Sequence, residues 1–227
     1  MSIPDPSEIR RGARDVLPLV PAIAGFGLVV GVAAGNAGFT IPQAIGLSVF
    51  VFAGASQLAA IELVRDGAPF LVVVVTVVVI NLRMMMYSAS ISSYFRDHAE
   101  RWRAALAYLL TDQAYALSIS HYRENDVDDT RAYYLGVAFP LWAVWQTCTI
   151  VGIVAGANIP DSWGITFAVP LVFLALLVPA MKDRESTAAA AVSGTVAAAG
   201  AGLPLNLGLL AGAGCGLLAA VVAGDVA

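Results

Sequence analysis

Charge is scarce in this sequence. Asp, Glu, Lys and Arg make up 12% of its 227 residues, against about a quarter in a typical soluble domain. That scarcity excludes an ordinary water-soluble globule. The formal net charge is −4 and no basic patch stands out, which excludes a nucleic-acid module. Cysteine is almost absent: Cys148 and Cys215 both lie in apolar stretches, where they read as packing residues, not as a disulfide or a metal site. The two histidines, His98 and His121, fall at expected helix ends without ligand spacing. There is no His-Glu-x-x-His pattern, no paired deep aspartates, and no nucleophile beside a base. An enzyme is therefore not expected. No phosphate-binding loop is present, and neither a metal nor an organic cofactor is implied.

What the sequence has instead is long apolar runs. It is 59% hydrophobic, with mean hydropathy +0.80. Several runs lack charge for roughly 18 residues or more, enough to cross a ~30 Å hydrocarbon layer. A β-barrel would show short alternating segments. The expectation is an all-α polytopic membrane bundle of seven to eight segments, forming one transmembrane domain over residues 1–227. The segments read as Val16–Asn36, Ile41–Val64, Pro69–Tyr94, Ala104–Tyr122, Tyr133–Ala157, Gly164–Met181, Thr187–Gly202 and Pro204–Gly224. The N-terminal stretch has no basic-then-apolar layout, so a cleaved signal peptide is not expected. Arg10, Arg11 and Arg14 precede the first segment and place the N-terminus in the cytoplasm. If all eight segments cross, eight Lys and Arg lie inside and three (Arg96, Arg101 and Arg103) outside. A re-entrant third segment shifts the split to seven against four.

An internal repeat shows at a separation of 122: Leu17-Pro18-Leu19 faces Phe139-Pro140-Leu141, and Asn36 faces Asn158. Its halves run about 16–122 and 133–224. Duplicated halves with broken or re-entrant helices are a common transporter plan. An odd number of crossings in the first half would make the second half inverted.

Polar residues within the apolar runs are the candidate site. Residues 80–90 read INLRMMMYSAS. An Arg at bilayer depth costs on the order of 3 kcal/mol unless it meets a cavity or a partner. Asn81 and Arg83 are expected to mark a helix break, with Arg83 holding a carboxylate through two parallel hydrogen bonds. Snorkelling to the headgroups is the bland alternative. Residues 52–57 read FAGASQ. Gly54 and Ser56 permit close helix approach, and Gln57 is either a substrate contact beside an unwound turn or an interhelical hydrogen bond. Asp112 lies midway along the fourth segment and can pair with Arg83, carry a proton or hold an ammonium. Trp145 and Gln146 line a pocket or belong to an aromatic belt. Met84, Met85 and Met86 suggest soft-metal ligands, but adjacent helical residues point about 100° apart and do not converge on one ion.

FAGASQ, then INLR, then TDQAYA, then a Trp-bearing fifth segment resembles the AzlC family of bacterial permeases, the large subunit of branched-chain amino acid exporters. The likeness covers nearly the whole chain. An acidic residue often follows the fourth-segment Asp in that family, where Gln113 stands here, and Arg83 is followed by methionines. The resemblance implies secondary export of valine, leucine and isoleucine, with methionine as a further candidate. It implies a bacterial cytoplasmic (inner) membrane location and a small AzlD-like membrane subunit as partner. Within it, Arg83 and backbone N–H groups would hold the carboxylate, Asp112 or Gln57 the ammonium, and Phe and Val side chains with Met84, Met85 and Met86 the aliphatic chain. A channel or a non-transporting assembly subunit is the alternative. Saturable transport separates a carrier from both.

Overall fold

The computed structural model describes residues 4–125, 127, 129–156, 174, 177, 178, 181–203 and 207–225, and every regular element among them is helical. Helix α1 (Pro6–Val16) begins ten residues before the expected start. Asp5 caps it, accepting the Ser7 N–H at 2.8 Å, and Pro6 occupies the first turn. After a 3-10 turn over Leu17–Leu19, α2 runs Val20–Asn36. Next come α3 (Ile41–Val51), α4 (Gly54–Arg65), α5 (Phe70–Ile91), α6 (Glu100–Tyr108), α7 (Asp112–Glu124) and α8 (Thr130–Gly156). Helices α9 (Arg184–Ala199) and α10 (Leu207–Asp225) follow. Most of the expected sixth segment lies outside the described residues.

The residues fall into two compact units: 1–58 with 78–159, and 59–77 with 160–227. In the first, α1 and α2 lie along α8. A Cβ at Gly12 would strike the backbone of Tyr133, and one at Gly31 the backbone of Thr149 and Gly152. Gly136, Gly152 and Gly156 meet Ile9, Leu28 and Val32 in return. Two small-xxx-small pairs, Gly27/Gly31 and Gly152/Gly156, let the backbones touch where no hydrophobic force draws helices together. The pairings advance in the same sense, so α1–α2 and α8 run parallel. The inverted relation weighed from the repeat does not hold between these two helices.

The charged end of this unit is tightly tied. His121 Nε2 lies 3.5 Å from a Glu8 carboxylate oxygen, and its ring stacks on Tyr133 at 3.8 Å. Tyr133 Oη donates to Asp15 at 2.9 Å. Arg131 sits over the Trp102 ring at 4.9 Å, and Thr130 Oγ1 donates to the Tyr94 carbonyl at 3.0 Å. The N-terminus, residues 94–102 and residues 121–133 therefore share one end.

That fact sets the direction of every other helix in the unit. Helix α6 leaves this end at Trp102, and Tyr108 reaches Trp142, whose Nε1 donates to Tyr108 Oη at 3.0 Å, well along α8. Helix α7 brings the chain back to His121. The fourth segment is thus a re-entrant hairpin, not one crossing helix. Helix α5 is unbroken for 22 residues, about 33 Å, and ends beside Thr130. Helix α3 starts at the opposite end, where α2 finishes, and stops at Phe52, so the second segment is broken there. The third segment, for which the sequence leaves crossing and re-entry both open, is a single unbroken helix over Phe70–Ile91. Four helical stretches among the described residues are long and apolar enough to cross a membrane: Pro6–Asn36, Phe70–Phe95, Thr130–Gly156 and Leu207–Gly224.

In the second unit, α9 and α10 form a hairpin of small residues, with Gly208 against Gly200, and Gly212 against Ser193 and Ala197. Asp183 caps α9 by accepting the Ser186 N–H at 2.7 Å, and these Ser186 hydrogen bonds hold its carboxyl below the usual carboxylate range.

Candidate functional site between two broken helices

The first break follows α3. Phe52 takes a left-handed conformation (φ 36°), which costs a non-glycine residue roughly 1–2 kcal/mol. Its neighbours hold it there. The Ser48 carbonyl accepts Gln146 Nε2 at 3.3 Å, and the Val49 carbonyl accepts Tyr108 Oη at 2.9 Å. Helix α4 starts at Gly54, where a Cβ would lie 2.6 Å from Trp145 Cη2 and 2.7 Å from Phe26 Cε1. Only glycine fits that corner without moving two rings.

The second break spans Leu109–Thr111. Thr111 is extended and its Oγ1 accepts the Ala114 N–H at 3.2 Å. Asp112 is then the first residue of α7, where the helix dipole favours a negative charge. The expectation of a mid-helix Asp112 is corrected. Thr111 before Asp112 is a helix-start signature that the sequence carried.

Between the breaks runs α5, which does not break at Asn81 or Arg83 as expected. In an intact helix these two residues point about 200° apart, so they serve different faces. Asn81 Oδ1 accepts Ser56 Oγ at 3.2 Å, a hydroxyl that also reaches the Ala53 carbonyl at 3.0 Å. Arg83 Nη1 meets Asp112 Oδ2 at 2.9 Å. One turn on, Tyr87 stacks on Tyr115 at 4.6 Å, and Ser90 Oγ bonds Tyr115 Oη at 2.9 Å. The Arg83 face is a seam that fastens the α6–α7 hairpin. It takes the ion-pair alternative, since lateral partners satisfy both polar residues and no break is needed.

The Asn81 face lines a cavity of about 730 Å³, within the usual ligand range. Met84, Met85, Ser88 and Ser92 continue that face, at helical spacing from Asn81. Phe50, Phe52 and Ala53 close it from the first break, and Ala107, Tyr108 and Leu110 from the second. Asn81, Met84 and Met85 are expected residues on this wall, and Phe52 opens the FAGASQ stretch. Tyr108, Ser88 and Ser92, which the sequence reading missed, look like ordinary apolar-helix residues until the breaks bring them together.

The remaining expected residues gather elsewhere, on the seam between α3–α4 and α8. Trp145 is buried edge-on to Phe26 at 5.3 Å, so it is no membrane-surface aromatic. Gln146 serves the Ser48 carbonyl. Gln57 lies one turn beyond Gly54 on the same helix face. It is 1% exposed, and neither of its side-chain heteroatoms finds a partner among the described residues. The same holds for Ser48 Oγ, Trp145 Nε1 and Thr149 Oγ1. Buried polar groups ordinarily meet water or a ligand. Among the described residues no three His, Cys, Asp or Glu side chains cluster as metal ligands, and both cysteines are free.

The model of the AzlC protein family matches residues 18–159. An inner membrane protein of Escherichia coli strain K12, YgaZ, is 25% identical over 96% of this chain and 92% of its own length. A protein of Archaeoglobus fulgidus titled an uncharacterized membrane protein is 30% identical over 96% of this chain and 92% of its own. A Helicobacter pylori protein (strain J99) with the same title is 27% identical over 70% of each. No solved structure matches the chain.

Proposed function

The chain belongs to the AzlC family, and we propose that it is a secondary transporter that exports valine, leucine, isoleucine and methionine, not an enzyme. The observation that carries this reading is the cavity between the two broken helices. It presents Phe50, Phe52, Met84 and Met85 to an aliphatic chain, and Asn81, Ser88 and Tyr108 to the polar end. Freed backbone groups at both breaks add donors and acceptors at bilayer depth, the arrangement transporters use for charged solute ends. Discrimination among aliphatic chains is shallow, since one methylene is worth about 1–3 kcal/mol.

Arg83 and Asp112 form the exchangeable pair. Arg83 Nε and Asp112 Oδ1 meet no hydrogen-bond partner among the described residues, so each group keeps spare capacity. A solute carboxylate competes for the guanidinium and an ammonium for the carboxylate, which couples occupancy to the position of α6–α7.

The N-terminus is cytoplasmic in this reading. In the unit of residues 1–58 and 78–159, Arg10, Arg11, Arg14, Arg96, Arg101, Arg103, Arg123 and Arg131 share the N-terminal end, with Arg83 internal. That clustering supports a cytoplasmic N-terminus. A bacterial inner membrane and a small AzlD-like partner complete the proposal.

The test is export of the four amino acids from dipeptide-loaded cells, with and without the small neighbouring membrane protein. Faster efflux with the pair supports transporter and partner together. Faster efflux with this chain alone keeps the transporter and removes the partner. Normal insertion with no efflux of any of the four in either case overturns the substrate assignment.

A further inference from the structure

A second cavity of about 510 Å³ opens beside the first. The two share Ser88, Ser92, Ala107 and Leu110 as walls, so only these side chains stand between them. The second differs in its chemistry. Its floor, Ile91, Phe95 and Leu106, is buried and apolar. Its rim carries two guanidiniums and one carboxylate, from Arg96, Arg103 and Glu100. The Arg103–Glu100 approach is 3.7 Å, longer than a charge-assisted hydrogen bond of about 2.7–2.9 Å. Both groups therefore keep hydrogen-bonding capacity. The wall behind them is fixed, with Tyr134 Oη donating to the Leu106 carbonyl at 3.1 Å.

We propose that this second cavity is a loading station for a zwitterionic aliphatic amino acid on its way to the Asn81 cavity, an inference that rests on the transport reading. Charges of both signs at the rim match a carboxylate and an ammonium on one carbon. The greasy floor matches the side chain. The shared walls give the onward route. The rim lies at the arginine-rich N-terminal end, the cytoplasmic end on the charge count, and an exporter must load from there. The α6 helix forms one side of the station, and its last turn forms one side of the inner cavity. Movement of the α6–α7 hairpin would therefore open or close the route between them.

The test is thiol labelling. Cys148 and Cys215 are replaced by serine, and Ser92→Cys is added on the shared wall. Inside-out vesicles are treated with a small sulfonated methanethiosulfonate. The expected result is labelling that millimolar leucine slows several-fold. The pair Arg96→Gln and Arg103→Gln raises the half-protecting leucine concentration by roughly fivefold or more, as loss of rim charge should. Ala107→Cys on the same wall repeats the test if Ser92→Cys fails to insert. A thiol that stays unlabelled from both faces of the membrane overturns the proposal. Labelling that leucine does not slow, in a chain that exports leucine, also overturns it and leaves the transport reading intact. Protection by leucine in a chain that exports nothing keeps the station and removes the transport reading.

Discussion

The crossing helices and the re-entrant hairpins treat helix breakers in opposite ways. Helix α8 carries Pro140 in its interior and runs unbroken for 27 residues. Helix α5 carries Asn81 and Arg83 and runs unbroken for 22. The second segment has neither proline nor charge at Phe52, yet it breaks there. The difference lies in what awaits the freed backbone. At the first break, Tyr108 supplies a donor to the Val49 carbonyl, and Gln146 adds a second donor to the Ser48 carbonyl, which already accepts the Phe52 N–H at 3.1 Å. At the second, Thr111 supplies an acceptor. Along α5 the polar side chains are met from the side, and the ladder has no reason to open. In lipid a backbone group without a partner costs several kcal/mol. A break therefore forms where partners wait for it.

The largest expected effect removes the fastening between α5 and a hairpin. Arg83→Gln should insert normally and lose export by at least about tenfold, or ~1.4 kcal/mol. Adding Asp112→Asn sharpens the point. If the pair serves only to hold α6–α7, the double variant regains export, because no lone charge is left. If Arg83 also takes the substrate carboxylate, the double variant stays inactive while its melting temperature in detergent recovers. Full export in Arg83→Gln sinks both roles.

Next comes the packing that keeps the crossing helices whole. Gly31→Leu pushes a side chain into the backbone of α8, which cannot yield as a side chain does. Overpacking of this kind costs about 1–3 kcal/mol and at times more. Gly25→Leu, on the same helix, meets nothing within 4 Å and should leave thermal stability unchanged. Equal melting temperatures for the two variants would remove the glycine-seam account of α2 and α8.

A smaller effect tests the hairpin directly. Gln146→Leu keeps the volume and removes the donor to the Ser48 carbonyl. Loss of one buried partner costs about 1–3 kcal/mol. The loss should appear as faster amide exchange at Phe52 and Ala53, with little change along α5. Uniform exchange in all helices would mean that the break does not depend on this bond.

These contrasts also mark what the sequence could reveal. Long uncharged runs are a one-dimensional property, so the helical membrane class was legible from composition. Arg83 and Asp112 stood out because charge at bilayer depth demands a partner. That they would choose each other was one of three open readings for Asp112, because distance between segments is not written in either. An unwound turn in FAGASQ was one of two readings of that stretch, whereas the break at Leu109–Thr111 was not foreseen. Gly54 is a local signal for the first break, but Tyr108, which meets the Val49 carbonyl, lies far along the chain. Thr111-Asp112 and Asp5-Pro6 were readable as helix starts, since capping chemistry is local, yet the apolar runs around them suggested uninterrupted or later helices. Gln146, flanked by Trp145, stood out as a polar spot in an apolar helix. Their burial against Phe26 and Ser48 needed the fold.

The smallest expected effect concerns the proline that α8 tolerates. Pro140 offers no N–H to the carbonyl of Gly136, one turn earlier, so Pro140→Ala should restore a bond worth about 0.5–1.5 kcal/mol net. The same change loosens the unfolded chain and gives back about 0.4–1 kcal/mol. The two terms oppose each other, and the melting temperature should move little in either direction. Export should be unchanged as well, because the cavity lies against α5 and the breaks, not against residue 140. A large loss of export without loss of stability would mean that α8 bends at Pro140 during transport. The crossing helices would then share the work now assigned to the hairpins.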